Sequence, residues 1–326
     1  MITNYAIIDS GNDKFYYYLE WMEYVISLLV SYFPFHVLGF FEKEQKMQIL
    51  ITGSSGRIGT KIAEVVTQHT PCIGVDLVPG RFTTHLGSIT DKRFMNGIIA
   101  DLDGIIHSAA YLTPHVGLKS DDEFRHVNVH GTEVLLDLAI KYNVQRFVFT
   151  STTSVYGCST RPKTEAIWVT EALAPNPEDI YDITKLEAEQ LCREASRTGL
   201  TAIILRMSRC FPEPDHLMVF YRLYRGVSTS DVAEAHWLAV SSAIRGTETF
   251  NISAETPFQP TETRELLNDP WRVVDRLYPE AGKVYDRMNW AKPSSIDRVY
   301  VIDKAKRLLN YQPRDNFWEF LQSKVG

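Results

Sequence analysis

The sequence predicts an α/β fold in which a doubly wound parallel sheet has helices on both faces. Short apolar runs, of the kind that form strands buried on both faces, alternate along the chain with segments of helical periodicity. The first run, Ile49 to Ile51, leads through three regularly spaced glycines into such a segment. The alternation continues to about residue 205 without an internal repeat, which is typical of consecutive strand–helix–strand units.

The first strand–helix connection, MQILITGSSGRIG at 47–59, is the stretch around which the chain is organised. Its glycines are Gly53, Gly56 and Gly59, and a helix is predicted over 61–68. Backbone N–H groups and the positive end of a helix dipole meet at such a turn, which suits a pyrophosphate. Glycine is needed there where φ is positive and where a phosphate or a strand approaches the backbone closely. Alone, the spacing also fits an ordinary strand–helix turn.

The second predicted strand, Cys72 to Asp76, ends in an acid 17 positions after Gly59. A carboxylate at that place accepts hydrogen bonds from both hydroxyls of an adenosine ribose and repels a 2′-phosphate, so it favours NAD over NADP. The alternative is a turn residue at a strand end. The third run, 104–106, continues into small residues that include Ala109, and these would let a cofactor lie across the strand end.

A helix predicted over 121–142 carries Asn128 and two histidines, His126 and His130, which are four positions apart. Residues at this spacing share one face of a helix and can form part of a metal site. No third ligand is evident in the sequence. The pair therefore indicates a surface or packing role rather than a metal site.

The next predicted strand, 146–150, is followed by three hydroxyl residues, Ser151, Thr152 and Thr153. A hydroxyl at such a strand end can orient the oxygen of a bound alcohol. The segment 161–179 that comes afterwards is rich in Pro, Glu and Thr, and it is predicted to be a loop over the site.

A helix predicted to begin near residue 180 carries Tyr181 and Lys185, which share a face because they are four positions apart. A phenol normally titrates near pH ~10. A neighbouring ammonium and the positive nicotinamide of an oxidised cofactor favour the phenolate and lower its pKa. The tyrosine can then remove the proton of a secondary alcohol while hydride leaves the carbon, and the lysine can also hold the nicotinamide ribose.

Beyond the strand predicted at 200–205 the alternation weakens. Ser230 or Asp231 is the expected N-cap of a further helix, and 249–252 is predicted to be a strand. The expected parts of the chain are an N-terminal extension (1–46), an NAD-binding domain (47–205) and a substrate-binding portion (206–326), of which 229–253 returns to the NAD-binding domain.

These motifs resemble the extended short-chain dehydrogenases/reductases, in the NAD-dependent epimerase/dehydratase family. The matching pieces are TGSSGRIG (52–59), Asp76, HSAA (107–110), NVHGT (128–132), FVFTSTTSVYG (147–157), YDITK (181–185) and DVAEAH (231–236). They occur in the family's order, and DKAKRLLNYQP (303–313) resembles its closing motif. The resemblance implies a Rossmann fold, bound NAD and a homodimer formed through two long helices.

The resemblance also implies roles for single residues. Thr152, Tyr181 and Lys185 would form the catalytic set, with Asn128 supporting the lysine through the active-site network. Gly53, Gly56, Ile58 and Asp76 would hold NAD, with Arg57 as a weaker contact. The motif arguments above add Gly59, Ala109, Tyr181 and Lys185 to the cofactor contacts, and no metal is expected.

Several positions depart from the family's pattern. Ser88 and Ile89 stand where many members have an acid that contacts adenine. Thr153 and Ser154 stand where the nucleotide-sugar dehydratases have an Asp–Glu pair, which argues against dehydration. A short segment, 212–229, replaces the long insertion in which nucleotide-sugar enzymes hold the nucleotide, so a large nucleotide substrate is not favoured.

The stretch RMSRCFPEP (206–214) is instead similar to the compact uronate dehydrogenases of the superfamily. Their Ser–Asn–His string reads Thr–Thr–Ser here (152–154), and Met218 stands where they have an arginine. Three arginines could hold an anionic group or could be ordinary helix-surface residues: Arg209, Arg222 and Arg225.

The N-terminal segment differs in character from the rest. Residues 15–41 are crowded with aromatic side chains, and 25–41 carry no formal charge. Pro34 interrupts this run, and acids rather than a basic region precede it, so neither a bilayer span nor a secretory signal fits. A helix packed on the protein or a partner is favoured over membrane contact or a poorly ordered extension.

Composition bounds the class of protein. With 326 residues, 44% apolar and 23% charged, the chain resembles a soluble globular protein with a large core. A net charge of −6 and the lack of a basic run give no support for nucleic-acid binding. The four cysteines form no CxxC pair, which indicates reduced thiols in a cytoplasm rather than a zinc site or a disulfide framework.

The patterns favour an NAD-dependent oxidoreductase that transfers a hydride between a sugar-like secondary alcohol and NAD. Net dehydrogenation and epimerisation through transient oxidation, including that of a nucleotide sugar, both use this apparatus. The competing class is a non-catalytic NAD-binding protein tethered by its N-terminal segment. The intact pair of Tyr181 and Lys185 argues against it.

Overall fold

The computed structural model describes residues 47–324, and parallel strands dominate them. The strands are β1 (Ile49–Thr52), β2 (Cys72–Asp76), β3 (His85–Leu86), β4 (Gly104–His107), β5 (Arg146–Thr152), β6 (Ile167–Val169), β7 (Thr201–Met207), β8 (Thr247–Ile252) and β9 (Arg298–Tyr300). Seven of them form one parallel sheet in the order β3-β2-β1-β4-β5-β7-β8, and β6 pairs with β9. The predicted doubly wound α/β fold is confirmed.

Helices connect the strands. They are α1 (Arg57–Val66), α2 (Lys92–Asn96), α3 (Asp121–Phe124), α4 (Gly131–Lys141), α5 (Ile180–Ser196), α6 (Asp215–Tyr221), α7 (Thr229–Ser241), α8 (Thr263–Asn268), α9 (Pro270–Leu277), α10 (Ala281–Arg287), α11 (Asp303–Leu309) and α12 (Phe317–Ser323). A π-helical segment, Arg125–His130, joins α3 to α4. The helix predicted over 121–142 is therefore present, but its hydrogen-bonding pattern changes in the middle.

The register of β1 sets the position of the site. Thr52, the last residue of β1, pairs with Val75 on one side and with His107 on the other. The strand order reverses at β1 and β4, and ligands of open α/β sheets bind at the carboxyl ends of strands near such a switch point. The segments that follow β1, β2, β4 and β5 therefore come together at one edge.

Two apolar layers fix the sheet between its helices. Ile49 and Ile51 point to a layer shared with α1 and α7, whereas Leu50 points to a layer shared with α4 and α5. Alternate residues of a strand point to opposite faces, so the uninterrupted run of isoleucine and leucine serves both layers. A third apolar cluster, with Trp271 and Tyr285 among its buried members, lies in the C-terminal portion.

The start of α7 differs from the prediction. Its N-cap is Ser228, whose hydroxyl oxygen accepts from the Asp231 N–H at 3.0 Å, so neither Ser230 nor Asp231 caps the helix. The Asp231 carboxylate instead accepts a hydrogen bond from the Ser228 hydroxyl and another from the Arg314 N–H. Asp231, which the local pattern offered as a cap, thus bonds to a residue that is distant in sequence.

The expectations for residues 1–46, including membrane contact by 15–41, lie outside the described residues. Within 47–324, no helix is both long enough and apolar enough to cross a bilayer.

Replacing Gly59 by Ala should destabilise the fold and weaken NAD binding. An added Cβ would lie 1.9 Å from the Gly53 carbonyl oxygen, so α1 would have to move away from β1. We expect a loss of about 1–3 kcal/mol in the free energy of unfolding, measured by urea denaturation.

The matched control for this substitution is Gly97→Ala, whose Cβ would make an ordinary contact at 3.4 Å with the Phe94 carbonyl oxygen. It should leave the free energy of unfolding unchanged or slightly raised. Equal losses in the two variants would show that the approach of α1 to β1 is not the constraint.

Candidate active site

The glycine turn between β1 and α1 forms one end of the site. Gly53 has a φ of 72°, and its N–H donates to the Val75 carbonyl oxygen at 2.8 Å. Gly56 is the N-cap of α1 and has no side chain that could accept from the first N–H groups of that helix. Those groups therefore remain free for an anion, as the sequence predicts.

Asp76 stands beside this turn at the end of β2. Its carboxylate accepts from the backbone N–H of Ser55 at 3.0 Å and from that of Val78 at 3.2 Å. Ser88 and Ile89 line the same end of the site. These contacts hold the carboxylate at the place where a ribose is expected.

A cleft of about 590 Å³ runs from the glycine turn along the carboxyl edge of the sheet. Its volume falls in the range of about 300–1,000 Å³ that is usual for ligand sites. The predicted site residues that line it are Gly53, Gly56, Arg57, Ile58, Gly59, Asp76, Ala109, Thr152, Tyr181 and Lys185. Asn128, which was predicted as part of the catalytic set, does not line this cleft.

The three predicted catalytic side chains come from two elements. Tyr181 and Lys185 lie on one face of α5, which begins at the N-cap Asp179. Thr152 ends β5, and its hydroxyl oxygen accepts from the Ser154 N–H at 3.1 Å. Tyr181 and Lys185 are buried residues, with exposed fractions of 8% and 3%. Both groups are therefore shielded from bulk water.

Burial raises the pKa of Tyr181 well above that of a free phenol, and the Thr152 hydroxyl opposes this shift. The lowered phenol pKa expected from the sequence is therefore not produced by the protein's own groups. The neighbouring carboxylates of Asp182 and Asp179 add to the upward shift of the Tyr181 pKa. Further positive charge at the site, such as that of an oxidised nicotinamide, is needed to favour the phenolate.

The same burial acts in the opposite direction on Lys185, because it also disfavours a charged ammonium. It lowers the pKa of Lys185 to about 7, while Cys192 and Glu189 oppose the shift. The ammonium lies 4.0 Å from the centroid of the Phe149 ring, which is a favourable cation–π distance. At neutral pH this lysine is thus close to the midpoint of its titration.

Asn128 lies behind the cleft and is almost fully buried. Its side-chain oxygen accepts from the Tyr111 N–H at 2.7 Å, and its amide donates to the Tyr111 carbonyl and to the Thr184 hydroxyl, each at 3.0 Å. These bonds tie the segment after β4 to α5. Asn128 thus contacts the neighbour of the lysine in sequence, which fits positioning of α5 rather than direct participation.

A chain of buried hydrogen bonds links the glycine turn to Asn128. The Thr132 hydroxyl donates to the Asn128 carbonyl oxygen at 2.6 Å and so accepts from Nε2 of His107 at 3.0 Å. Nδ1 of His107 then accepts from the Thr52 hydroxyl at 2.7 Å. Burial lowers the pKa of His107 to about 3, so the imidazole is neutral, with its hydrogen assigned to Nε2 by these partners.

Asp182 is a cleft residue that the sequence reasoning missed. Burial raises its pKa to about 6, and the Ser154 hydroxyl opposes the shift while Asp179 adds to it. Its Oδ1 has no hydrogen-bond partner among the described residues. The available signal was an acid within the YDITK motif, next to the tyrosine.

The structure separates the three candidate arginines. Arg209 lines the cleft but is bidentate to Glu213, at 2.5 and 2.8 Å. Arg222 pairs with Asp315 at 3.0 Å and lies off the cleft. Arg225 lines the cleft and forms no ion pair within 47–324.

Other cleft residues come from distant parts of the chain. Arg298 and Tyr300 reach the cleft from β9, and no local pattern marks them. Of the segment 161–179, Asp179 lines the cleft, whereas 167–169 form β6. The prediction of a loop is therefore wrong at 167–169, where pairing with β9 forms a strand, whereas the rest of the segment is irregular.

Comparison with known proteins decides the family. The model of the NAD dependent epimerase/dehydratase family matches residues 49–216. YtcB of Bacillus subtilis (strain 168), named as an uncharacterized UDP-glucose epimerase, is 31% identical over 86% of this chain and 97% of its own length. The chain belongs to the NAD-dependent epimerase/dehydratase family.

Two further proteins show a similar sequence or fold. A dTDP-glucose 4,6-dehydratase of Streptomyces antibioticus is 26% identical over 84% of this chain and 90% of its own length. A short-chain dehydrogenase/reductase superfamily protein of Agrobacterium tumefaciens, crystallised with bound NAD, superposes with a TM-score of 0.65 at 21% identity. That superposition covers 85% of this chain and 95% of the other, and it supports the fold.

Membership of the epimerase/dehydratase family makes this protein an NAD-dependent enzyme of the extended short-chain dehydrogenase/reductase type. Its residues fit the cofactor. The turn holds Gly59 where a Cβ would meet the Gly53 carbonyl, so the backbone can approach a pyrophosphate closely. Asp76 stands at the end of the next strand.

The substitution Asp182→Asn should stabilise the protein at neutral and alkaline pH. The carboxyl pKa of about 6 in the fold exceeds the value of ~3.9 for a free aspartate, so the ionised form is disfavoured by folding. The gain should be present above pH ~6, shrink as the pH falls and vanish below pH ~4. After allowance for solvent screening, the expected gain in the free energy of unfolding is about 1–2 kcal/mol. It is measured by thermal unfolding at several pH values.

The control for this substitution is Asp101→Asn at an exposed turn, where stability should change little at any pH. A gain for Asp182→Asn that is equally large at pH ~4 would contradict a buried ionised carboxylate as its cause.

Proposed function

We propose that the protein transfers a hydride between a secondary alcohol of a sugar-like substrate and NAD. The observation that carries this proposal is the convergence of Tyr181, Lys185 and Thr152 on one cleft, with the glycine turn at its other end. A proton acceptor, a cation and an orienting hydroxyl beside a cofactor turn are the groups that oxidation of an alcohol requires.

The three side chains have different roles in this proposal. NAD, when bound, accepts the hydride from the alcohol carbon and returns it in the reverse direction. Tyr181 accepts the proton of the alcohol, and Thr152 orients the alcohol oxygen toward the phenol. Lys185 holds the nicotinamide ribose and favours the phenolate through its charge. Asn128 keeps α5 in place through its bond to Thr184.

We assign the cofactor contacts to the residues at the other end of the cleft. These are Gly53, Gly56, Arg57, Ile58, Gly59, Asp76 and Ala109, together with Tyr181 and Lys185. Free N–H groups at the start of α1 favour the pyrophosphate, and Asp76 favours a ribose without a 2′-phosphate.

Arg225 supports a substrate that carries an anionic group, a carboxylate or a phosphate. Its guanidinium lies against the rings of Tyr221 and Tyr224, at 4.3 and 5.4 Å from their centroids. Its Nε is buried without a hydrogen-bond partner within the described residues, and no ion pair there neutralises it. A cation held in this way on a cleft wall is suited to an anion.

Two overall reactions remain candidates for this apparatus. The name of YtcB, a relative covered over 97% of its length, supports an epimerase that oxidises and reduces the same carbon of a nucleotide sugar. The short segment between β7 and α7, which contains the seven-residue helix α6, favours a smaller substrate and net dehydrogenation. Release of NADH during turnover would indicate a dehydrogenase, and an epimerised product without net NADH would indicate an epimerase.

We also propose a cytoplasmic homodimer active in carbohydrate metabolism. Cys72, Cys158, Cys192 and Cys210 are free thiols, which fits a reducing compartment. The division into an NAD-binding domain at 47–205 and a substrate-binding portion at 206–326 is supported by the separate apolar cluster of the C-terminal portion. The return of β8 to the main sheet supports assigning 229–253 to the NAD-binding domain.

Tyr181→Phe should abolish turnover and leave NAD binding nearly intact, because it removes the proton acceptor and keeps the ring. We expect a fall in kcat of ~10²–10⁴-fold. The assay follows NADH and product over a panel of sugars, sugar acids and nucleotide sugars. Tyr142→Phe is the control, since the Tyr142 hydroxyl donates to Asn96 away from the cleft. Activity that survived in the Tyr181 variant would refute the mechanism.

Arg225→Gln should weaken binding of the anionic substrate and spare neutral compounds. Loss of a charge-assisted hydrogen bond costs about 1.5–3 kcal/mol, which corresponds to a ~10- to 100-fold rise in KM. The measurement compares the KM for a uronate or a nucleotide sugar with the KM for the corresponding neutral sugar. Arg209→Gln is the control on the same wall, since Glu213 already neutralises that arginine. An equal loss for the neutral compound would argue for a packing role instead.

A further inference from the structure

A bridge of side chains connects two walls of the cleft that are separated in the sheet. Arg57 is the first residue of α1, which follows β1, whereas Cys210 and Phe211 follow β7. The strand order β1-β4-β5-β7 places two strands between these walls, so the two strand ends are about 14 Å apart at ~4.8 Å per strand. Contacts between Arg57 and the segment after β7 therefore span the ends of β4 and β5.

Three contacts form this Arg57–Phe211 bridge. Nη1 of Arg57 donates to Sγ of Cys210 at 3.9 Å, and the same guanidinium lies 6.0 Å from the centroid of the Phe211 ring. The guanidinium of Arg209 lies 5.6 Å from that centroid. The ring thus has two cations at distances that suit cation–π interactions. Arg57 and Phe211 both line the cleft and are both exposed to solvent, so they form part of its rim.

The end of the bridge that follows β7 is firmly held. The Arg209 N–H donates to the Arg225 carbonyl oxygen at 2.9 Å, and the Arg209 carbonyl oxygen accepts from the Val227 N–H at 3.0 Å. Two hydrogen bonds to Glu213 fix the Arg209 guanidinium. Cys210 is buried in the apolar layer shared with α1 and α7. Opening of the bridge therefore requires movement of the Arg57 and Phe211 side chains rather than of this backbone.

The Arg57 end carries a charge that the described residues leave without a counterion. Within 47–324, Arg57 forms no ion pair, and its hydrogen-bond partner is the thiol of Cys210. Burial raises the pKa of that thiol, so the thiol is uncharged at neutral pH. Arg57 also stands beside the free N–H groups at the start of α1. A pyrophosphate bound to those groups would attract the guanidinium and hold it at the mouth of the cleft.

We propose that the Arg57–Phe211 bridge closes over the pyrophosphate of the bound cofactor and sets the rate at which NADH enters and leaves the cleft. The proposal rests on the proposed function in one respect: it takes the free N–H groups of α1 as the pyrophosphate site. Phe211 is then a residue that retains the cofactor, although it takes no part in proton or hydride transfer. Slow release of NADH lets the hydride return to the same substrate molecule, as epimerisation requires.

The test measures NADH exchange in the full chain and needs no substrate. Stopped-flow fluorescence gives the association rate constant on mixing with NADH, and the dissociation rate constant when excess NAD displaces bound NADH. In Phe211→Ala both constants should rise, the second by about 3- to 10-fold, because the contact that must break on opening is gone. A residue that only touches bound NADH would change dissociation alone, and that result would overturn the proposal.

Phe320→Ala is the matched control. The Phe320 ring also lies near two cations, Arg222 at 5.0 Å and Lys324 at 4.7 Å from its centroid, but it does not line the cleft. NADH exchange should be unchanged in this variant, and Phe211→Tyr, which keeps the ring, should exchange NADH almost as slowly as the unaltered protein. Unchanged dissociation in Phe211→Ala, or an equal rise in either of the other two variants, would overturn the proposal.

A double-mutant cycle tests whether Arg57 and Phe211 act together. Arg57→Gln should also speed the dissociation of NADH. Phe211→Ala should add little in that background, because the bridge is already open. Fully additive effects on the dissociation rate constant would show that the two residues act separately, and they would overturn the bridge.

Failure of the assigned cofactor contacts gives a different result. Asp76→Asn should raise the Kd of NADH by about 10-fold or more, because it weakens hydrogen bonds between the carboxylate and the ribose. Unchanged NADH affinity in this variant would refute the assigned contacts and the bridge with them. Weakened binding in Asp76→Asn, together with unchanged exchange in Phe211→Ala, would overturn the bridge alone.

Discussion

The close approach of α1 to the end of β1 is the constraint on which the rest of the site depends. Because Gly59 lies against the Gly53 carbonyl, the first N–H groups of the helix point to the carboxyl edge of the sheet. The parallel register then brings the ends of β4 and β5 to the same edge. A wider turn would separate the anion-binding groups from the hydroxyl at Thr152. One backbone contact thus determines where a long ligand can extend.

Burial is the second organising influence, and it acts on the two key groups of α5 in opposite ways. It raises the pKa of the phenol and lowers that of the ammonium, so both neutral forms are favoured. The ionised pair that catalysis requires must therefore be produced by neighbouring charges. The positive nicotinamide of the cofactor supplies such a charge for the phenol when it is bound. Cofactor binding and readiness for proton transfer are coupled for this electrostatic reason.

The sequence predicted those features that follow from local geometry. The three glycines, Asp76 at a strand end and the four-residue spacing of Tyr181 and Lys185 are short-range patterns, and the structure brings them to one cleft. Features that depend on partners distant in sequence were not predictable in this way. The Asp231 carboxylate accepts from the Arg314 N–H, and Arg298 reaches the cleft from β9. The raised phenol pKa depends on solvent exclusion, which no spacing of residues reveals.

The π-helical segment at 125–130 has a consequence for the register of this region. A residue added to or removed from a helix rotates everything beyond it by about 100°. The wider turn lets Asn128 face Tyr111 and Thr184 while α4 keeps its apolar side on the sheet. After loss of one residue here the chain could still form a regular helix. However, either the apolar side of α4 would turn away from the sheet, or Asn128 would turn away from Tyr111 and Thr184. The number of residues in this segment is therefore constrained, and homologous chains should have no insertions or deletions within it.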